Sequence, residues 1–229
     1  MFQIIILLLL IVIFPWLLLP FISIIILYLL FVPFSFTIRS LFNILTIPGQ
    51  IFQIATNPQL RKNHALEHAT INVLEEECGP QRLSGYAREE GFYLTGNIEP
   101  YLVLNAAKRG LRRLQAGEKQ LVIHQRCGTS LAAANLTAAL VFFLLLFLTR
   151  QLTLMNVILA VFIANISGPT LGRSIQRWLT TSCDLTNMEI IGIELLQPVG
   201  KFPFPFTPGH CEYFIRTKDR LVAERARII

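Results

Sequence analysis

The sequence predicts an α-helical integral membrane protein with a small cytoplasmic α+β domain and about three transmembrane helices. Its 229 residues are 53% hydrophobic and only 15% charged, with a mean hydropathy of +0.56, which is too apolar for an average soluble domain. The apolarity is also uneven: residues 4–34 carry no charge, whereas residues 59–130 are rich in Arg, Lys and Glu. Nineteen of the twenty Lys and Arg fall in residues 35–130 and 171–229, on either side of a second apolar region.

Residues 1–34 form the N-terminal transmembrane segment. Their apolar run is about thirty residues long, and one helical span takes about 20, so a single tilted span fits and two full spans do not. Pro15 and Pro20 lack an N–H and are expected to kink or interrupt the helix, with a re-entrant hairpin as the alternative. No basic stretch precedes the run, which is about twice the length of a signal-peptide core, so the segment is expected to stay.

Residues 35–130 should form a cytoplasmic domain. Asn57-Pro58 reads as a helix cap followed by proline at the first helical position, opening a helix that ends near Cys78-Gly79-Pro80. Asn97 reads as the cap of a second helix over roughly residues 98–116. There Val103, Leu104, Ala107, Leu111 and Leu114 share one face, and Lys108, Arg109, Arg112 and Arg113 the other. That basic face is either solvated or laid against anionic lipid headgroups. GFYLTG (91–96) and LVIH (121–124) read as short strands bracketing this helix.

Residues 131–170 form a transmembrane hairpin, two apolar stretches (131–149 and 152–170) separated by Arg150 and Gln151. A hairpin returns the chain to the side it left, so residues 35–130 and 171–229 share a compartment, and their basic residues make it the cytoplasm. The host membrane is a bacterial-type inner, plasma or thylakoid membrane. In residues 171–229, MEIIGIELL and CEYFIRTK read as a strand pair joined by KFPFPFTPGH, whose Phe-Pro alternation should be extended. The four cysteines form no close-spaced disulfide framework and are expected to be reduced. The net charge of +6 is dispersed and interleaved with acidic residues, which gives nucleic-acid binding no support. The expected partners are the lipid bilayer and its anionic headgroups; a protein partner or substrate is left open.

Chemistry is concentrated in two short motifs. In His64-Ala-Leu-Glu67-His68, at about 100° per helical residue, Glu67 falls near 300° and His68 near 40° from His64, so the three share a face. Two imidazoles at i and i+4 can reach one divalent ion, and the pattern inverts the H-E-x-x-H of zinc proteases. A glutamate so placed can act as general base toward water rather than bind the metal. Asn72 and Glu75 lie further along the face and could orient a ligand. The second motif, His124-Gln-Arg-Cys127-Gly128, resembles half of a zinc knuckle, with glycine allowing the tight turn. Together the motifs offer three imidazoles and a thiolate, a set suited to Zn²⁺. Their separation of about 55 residues requires the fold to assemble the site. Histidines that merely pack or hydrogen-bond are the competing reading. His210-Cys211 would place at most one side chain toward such a site. Cys78 follows three glutamates that disfavour its thiolate, and Cys183 reads as structural.

Glu67-His68 preceded by His64, then His124-x-Arg126-Cys127-Gly128-Thr129-Ser130 leading straight into an apolar span, resembles the YqhQ-like family of bacterial membrane proteins over roughly residues 60–150. Gln125 and Leu131 stand where that pattern usually has proline and phenylalanine; every potential ligand remains. The resemblance implies a predicted metal-dependent enzyme. The whole chain also fits a related cyanobacterial family of unknown function.

The functional expectation is therefore a zinc site with His64, His68, His124 and Cys127 as ligands and Glu67 as catalytic base. With three ligands bound, an open position permits a metal-dependent hydrolase or peptidase. With four, the site is closed and the protein is a zinc-stapled scaffold or assembly factor. A transporter is disfavoured because the spans carry no internal charge of the kind ion pathways use.

Overall fold

The structure, a computed structural model, describes Trp16 and residues 18–80, 82–196 and 211–221. Pro15 and the whole Phe-Pro connection, His210 included, lie outside the described residues. The chain divides into two compact units, one of Met1–Thr46 with Asn135–Ile166 and one of Ile47–Ala134 with Ser167–Ile229.

Among the described residues, three helices are long and apolar enough to cross a membrane: α1 (Leu18–Thr56), α4 (Gly128–Thr149), and α5 (Leu154–Ile175) with the π-helical turn Gln176–Thr180 that prolongs it. Helix α1 continues without a break past residue 34 to Thr56. Pro20 causes no interruption because it sits in the first turn, where the missing N–H has no intrahelical acceptor. Within the first unit, Phe142 is fully buried among Val32, Phe36, Val157 and Ala160, with the Phe36 ring edge-on at 5.0 Å. Elsewhere α1 exposes large apolar side chains: Leu27 is 69% exposed, Leu30 71% and Leu45 69%. The turn between α4 and α5 places Arg150 at φ 54°, and the Asn156 amide closes it by donating to Thr149 Oγ1 and Gln151 O at 2.9 and 2.8 Å.

The second unit is built on a four-stranded antiparallel sheet of order β1-β2-β4-β3, from β1 (Ser84–Arg88), β2 (Gly91–Gly96), β3 (Met188–Leu196) and β4 (Cys211–Asp219). Alternation sets the buried face. Phe92 and Leu94 pair with Ile215 and Tyr213, and all four are almost fully buried. Against that face pack α2 (Pro58–Cys78), through Leu66, Ala69, Val73 and Leu74, and α3 (Pro100–Gln115), through Val103, Ala107, Leu111 and Leu114. The two helices cross closely at Gly110, where a Cβ would meet the Ala69 backbone at 3.1 Å. Arg109 and Arg113 of the basic face pair with Glu77 and Glu76 of α2, while Lys108 and Arg112 are exposed.

The expected strands at 91–96, 188–196 and 211–218 are present. LVIH is not a strand: residues Lys119–Val122 form a 3-10 turn. The carbonyls of Leu121, Val122 and Ile123 accept hydrogen bonds from Asn72 and His68 of α2, which replace the neighbouring strand a β conformation would need. Asn97 does not cap α3. Glu99 takes the cap position, because Pro100 fixes the first helical φ. The cap of α2 is as expected: Asn57 Oδ1 accepts from Leu60 N at 3.0 Å. Replacing Asn57 by alanine should lower the unfolding free energy of the detergent-solubilised protein by ~1 kcal/mol, read from denaturant titration.

Candidate metal centre

Helix α2 presents His64, Glu67 and His68 on one side, as the wheel requires, but that side is buried too: their exposures are 7%, 4% and 1%. Burial makes each polar atom accountable. His64 Nδ1 lies 2.9 Å from Thr180 O and His68 Nδ1 2.6 Å from Val122 O. A carbonyl only accepts, so both Nδ1 atoms carry hydrogen and both rings aim Nε2 elsewhere. His64 Nε2 lies 3.4 Å from Cys127 Sγ, and His68 Nε2 is buried with no hydrogen-bond partner among the described residues.

Cys127 closes the set from the other motif. It immediately precedes α4, its carbonyl accepts from the N–H groups of Ser130 and Leu131, and its sulfur accepts from Thr129 N at 3.3 Å. One ligand atom each from His64, His68 and Cys127 lies within 4.8 Å of the others, so these three could hold a metal ion. The donor set suits one. Two imidazoles held by backbone carbonyls through the far nitrogen, one thiolate and an unpartnered buried Nε2 form a combination that a borderline-soft divalent cation satisfies.

Electrostatics agree with a site built for charge. Burial disfavours the charged forms of both His64 and Cys127, yet their contact reverses it. The hydrogen bond to Cys127, with the Glu67 and Cys127 charges, raises His64 to about 9. The hydrogen bond from His64, with the proximity and charge of both histidines, lowers Cys127 to about 4. Without metal the two form an imidazolium–thiolate pair. Burial pushes the Glu67 carboxyl up, opposed by the two histidines, and its Oε2 has no partner among the described residues.

His124 stands apart from the group of three. Its ring lies 6.0 Å from that of His68, centroid to centroid, and its Nδ1 donates to Asn72 Oδ1 at 3.0 Å. Asn72 is oriented for this by donating its amide to Leu121 O and Ile123 O. Burial, then the neighbouring His68 charge, pushes the His124 pKa down. Glu75 pairs with Arg126 instead of reaching the histidines. Cys78, Cys183 and Cys211 form no disulfide and stand outside the group.

Two contributors belong to no sequence motif. The π-helical turn Gln176–Thr180 supplies Thr180 O to His64. Its fully buried Gln176 clamps His124 on both sides, accepting from His124 N at 2.9 Å and donating to His124 O at 3.0 Å. A polar residue ending an apolar helix was the available hint. Gly85 of β1 is the other: a Cβ there would lie 2.6 Å from Glu67 Oε1. A cavity of about 240 Å³ opens beside this contact, lined by His64, Glu67, Cys127 and Thr129 and by Gly85 and Tyr86 of β1.

An uncharacterized protein of Picosynechococcus sp. strain PCC 7002 is 38% identical over 89 residues, covering 35% of this chain and 43% of that protein. The match thus spans less than half of the relative's length. No solved structure matches the chain. Residues 59–193, which include every residue of the three-donor cluster, Glu67 and Gln176, match the family described as Domain of unknown function (DUF6391). The chain belongs to this family, one of unknown function with a cyanobacterial relative.

Proposed function

We propose that the protein is an integral membrane, zinc-dependent hydrolase of the peptidase kind, with its site in the cytoplasm. His64, His68 and Cys127 hold the ion and Glu67 is the general base. The observation that carries this reading is the buried Glu67 carboxyl, its Oε2 without a partner among the described residues, beside a three-donor cluster of which His64 and Cys127 line the same cavity. Three donors leave a coordination position open, the arrangement of catalytic rather than structural zinc. The closed scaffold alternative requires His124 as a fourth ligand, and His124 lies outside the group of donor atoms within 4.8 Å of one another. The likeness to YqhQ-like proteins rests on the same residues. The three apolar helices support membrane residence, and the basic flanks of the hairpin support the cytoplasmic side.

A bound zinc would supply Lewis acidity, polarising the carbonyl under attack. The protein's own part is proton handling. Glu67 takes a proton from water as the water oxygen bonds to the carbonyl carbon. It returns that proton to the leaving nitrogen as the C–N bond breaks. Burial raises the pKa of this carboxyl, which favours holding the proton between the two steps.

Chelation tests the reading. Detergent-solubilised protein should hydrolyse unfolded casein, lose that activity when a chelator removes its metal, and regain it with Zn²⁺. Full activity in metal-free protein would contradict it. Activity that survives chelation but falls on alkylation would instead assign the work to the Cys127–His64 pair at the start of α4.

A further inference from the structure

Strand β1 is an edge of the sheet, and the hydrogen-bonding phase of the ladder fixes which of its groups face outward. Thr217 N donates to Glu90 O at 3.0 Å, so the pairs with β4 that exchange hydrogen bonds are Glu90/Thr217, Phe92/Ile215 and Leu94/Tyr213. The alternate residues Gly91, Tyr93 and Thr95 then bond the other neighbour, at Arg88, Tyr86 and Ser84. The N–H and C=O groups of Gly85 and Ala87 are left pointing away from β2. Among the described residues nothing bonds them, and both residues line the cavity that holds His64, Glu67 and Cys127.

We infer that this edge is the substrate-binding strand, and that the ligand is a polypeptide in extended conformation that pairs with Gly85 and Ala87 and so lies across Glu67. The inference rests on the hydrolase reading for the fate of the bound peptide, but not for the binding itself. Two donor–acceptor pairs two residues apart, about 6.8 Å along a strand, are matched by another extended backbone. A sugar, nucleotide or lipid headgroup carries no such repeat. The remaining walls, Ile54 and Leu60 with the Tyr86 ring, suit an apolar side chain of that peptide. Gly85 ties recognition to chemistry. Its missing side chain lets the Glu67 carboxylate lie against the pairing strand, where any larger residue would push it away.

The test uses full-length, zinc-loaded protein in detergent, carrying Glu67→Gln to prevent turnover, and fluorescein-labelled unfolded casein as probe. Ala87→Pro removes an outward N–H without touching the ladder to β2. It should weaken casein binding, read by fluorescence anisotropy, about tenfold while zinc content stays unchanged. Amide exchange decides independently of that variant. Casein should slow exchange at Gly85 and Ala87 and leave Tyr86, already bonded to β2, as it was. Casein that does not bind, binds equally well to the Ala87→Pro protein with its zinc in place, or leaves the Gly85 and Ala87 amides unprotected overturns the inference. Edge protection by casein, together with no casein hydrolysis by the zinc-loaded protein that retains Glu67, would uphold the inference and refute the hydrolase reading.

Discussion

Replacing Cys127 by serine should strip the protein of its metal. Zinc bound per chain after dialysis against a weak chelator should fall from near one to near zero, an affinity loss above the ~10–100-fold seen when only an outer partner of a ligand is removed. A serine hydroxyl cannot supply the anion that the thiolate does, since against the cost of burial the neighbouring His64 and His68 bring Cys127, not an alcohol, to about 4. His64→Ala and His68→Ala should act in the same direction, each removing one of the three clustered donors. His124→Ala is the informative contrast. It lies outside the group of three clustered donors, so the variant should keep near-stoichiometric zinc. Elemental analysis of the four variants side by side checks the assignment. Retention by Cys127→Ser, or loss by His124→Ala as complete as by His68→Ala, would mean that a different set of side chains holds the ion.

Glu67→Gln should separate chemistry from metal binding. The amide keeps the size of the carboxylate but takes up no proton, so kcat on unfolded casein should fall ~10²–10⁴-fold with zinc content unchanged. Glu67 is buried with an unpartnered Oε2, which is why the effect should be large: among the described residues no other carboxylate shares the cavity wall. A scaffold would respond differently, since an isosteric neutral side chain leaves a closed zinc site and its partners alone. Activity within twofold of the unsubstituted protein would remove Glu67 from any role as base.

The site's halves were legible because each is local. Helical periodicity alone puts His64, Glu67 and His68 on one face, and Asn57-Pro58 marks where their helix starts. That Cys127 would meet His64 followed from donor chemistry across a gap of 63 residues, not from spacing. The divergent fate of His124, in the same short motif as Cys127, was not legible. It depends on Gln176 and Asn72, one of them from a turn with no motif. LVIH misled for a related reason. Its apolar residues resemble a strand, yet its carbonyls are claimed by side chains of α2, and side-chain capture of a backbone leaves no mark on hydropathy. β1 was missed because Ser84-Gly-Tyr-Ala-Arg88 is a short edge strand with one face exposed, and only pairing with β2 orders it.

The central claim, one ion held by two imidazoles and one thiolate with an open position, is read most directly by X-ray absorption at the zinc edge of the full-length protein. The account predicts one sulfur at ~2.3 Å, two imidazole nitrogens at ~2.0–2.1 Å and one further light atom that is not imidazole. A shell without sulfur, or one with three imidazoles and a sulfur, would contradict it.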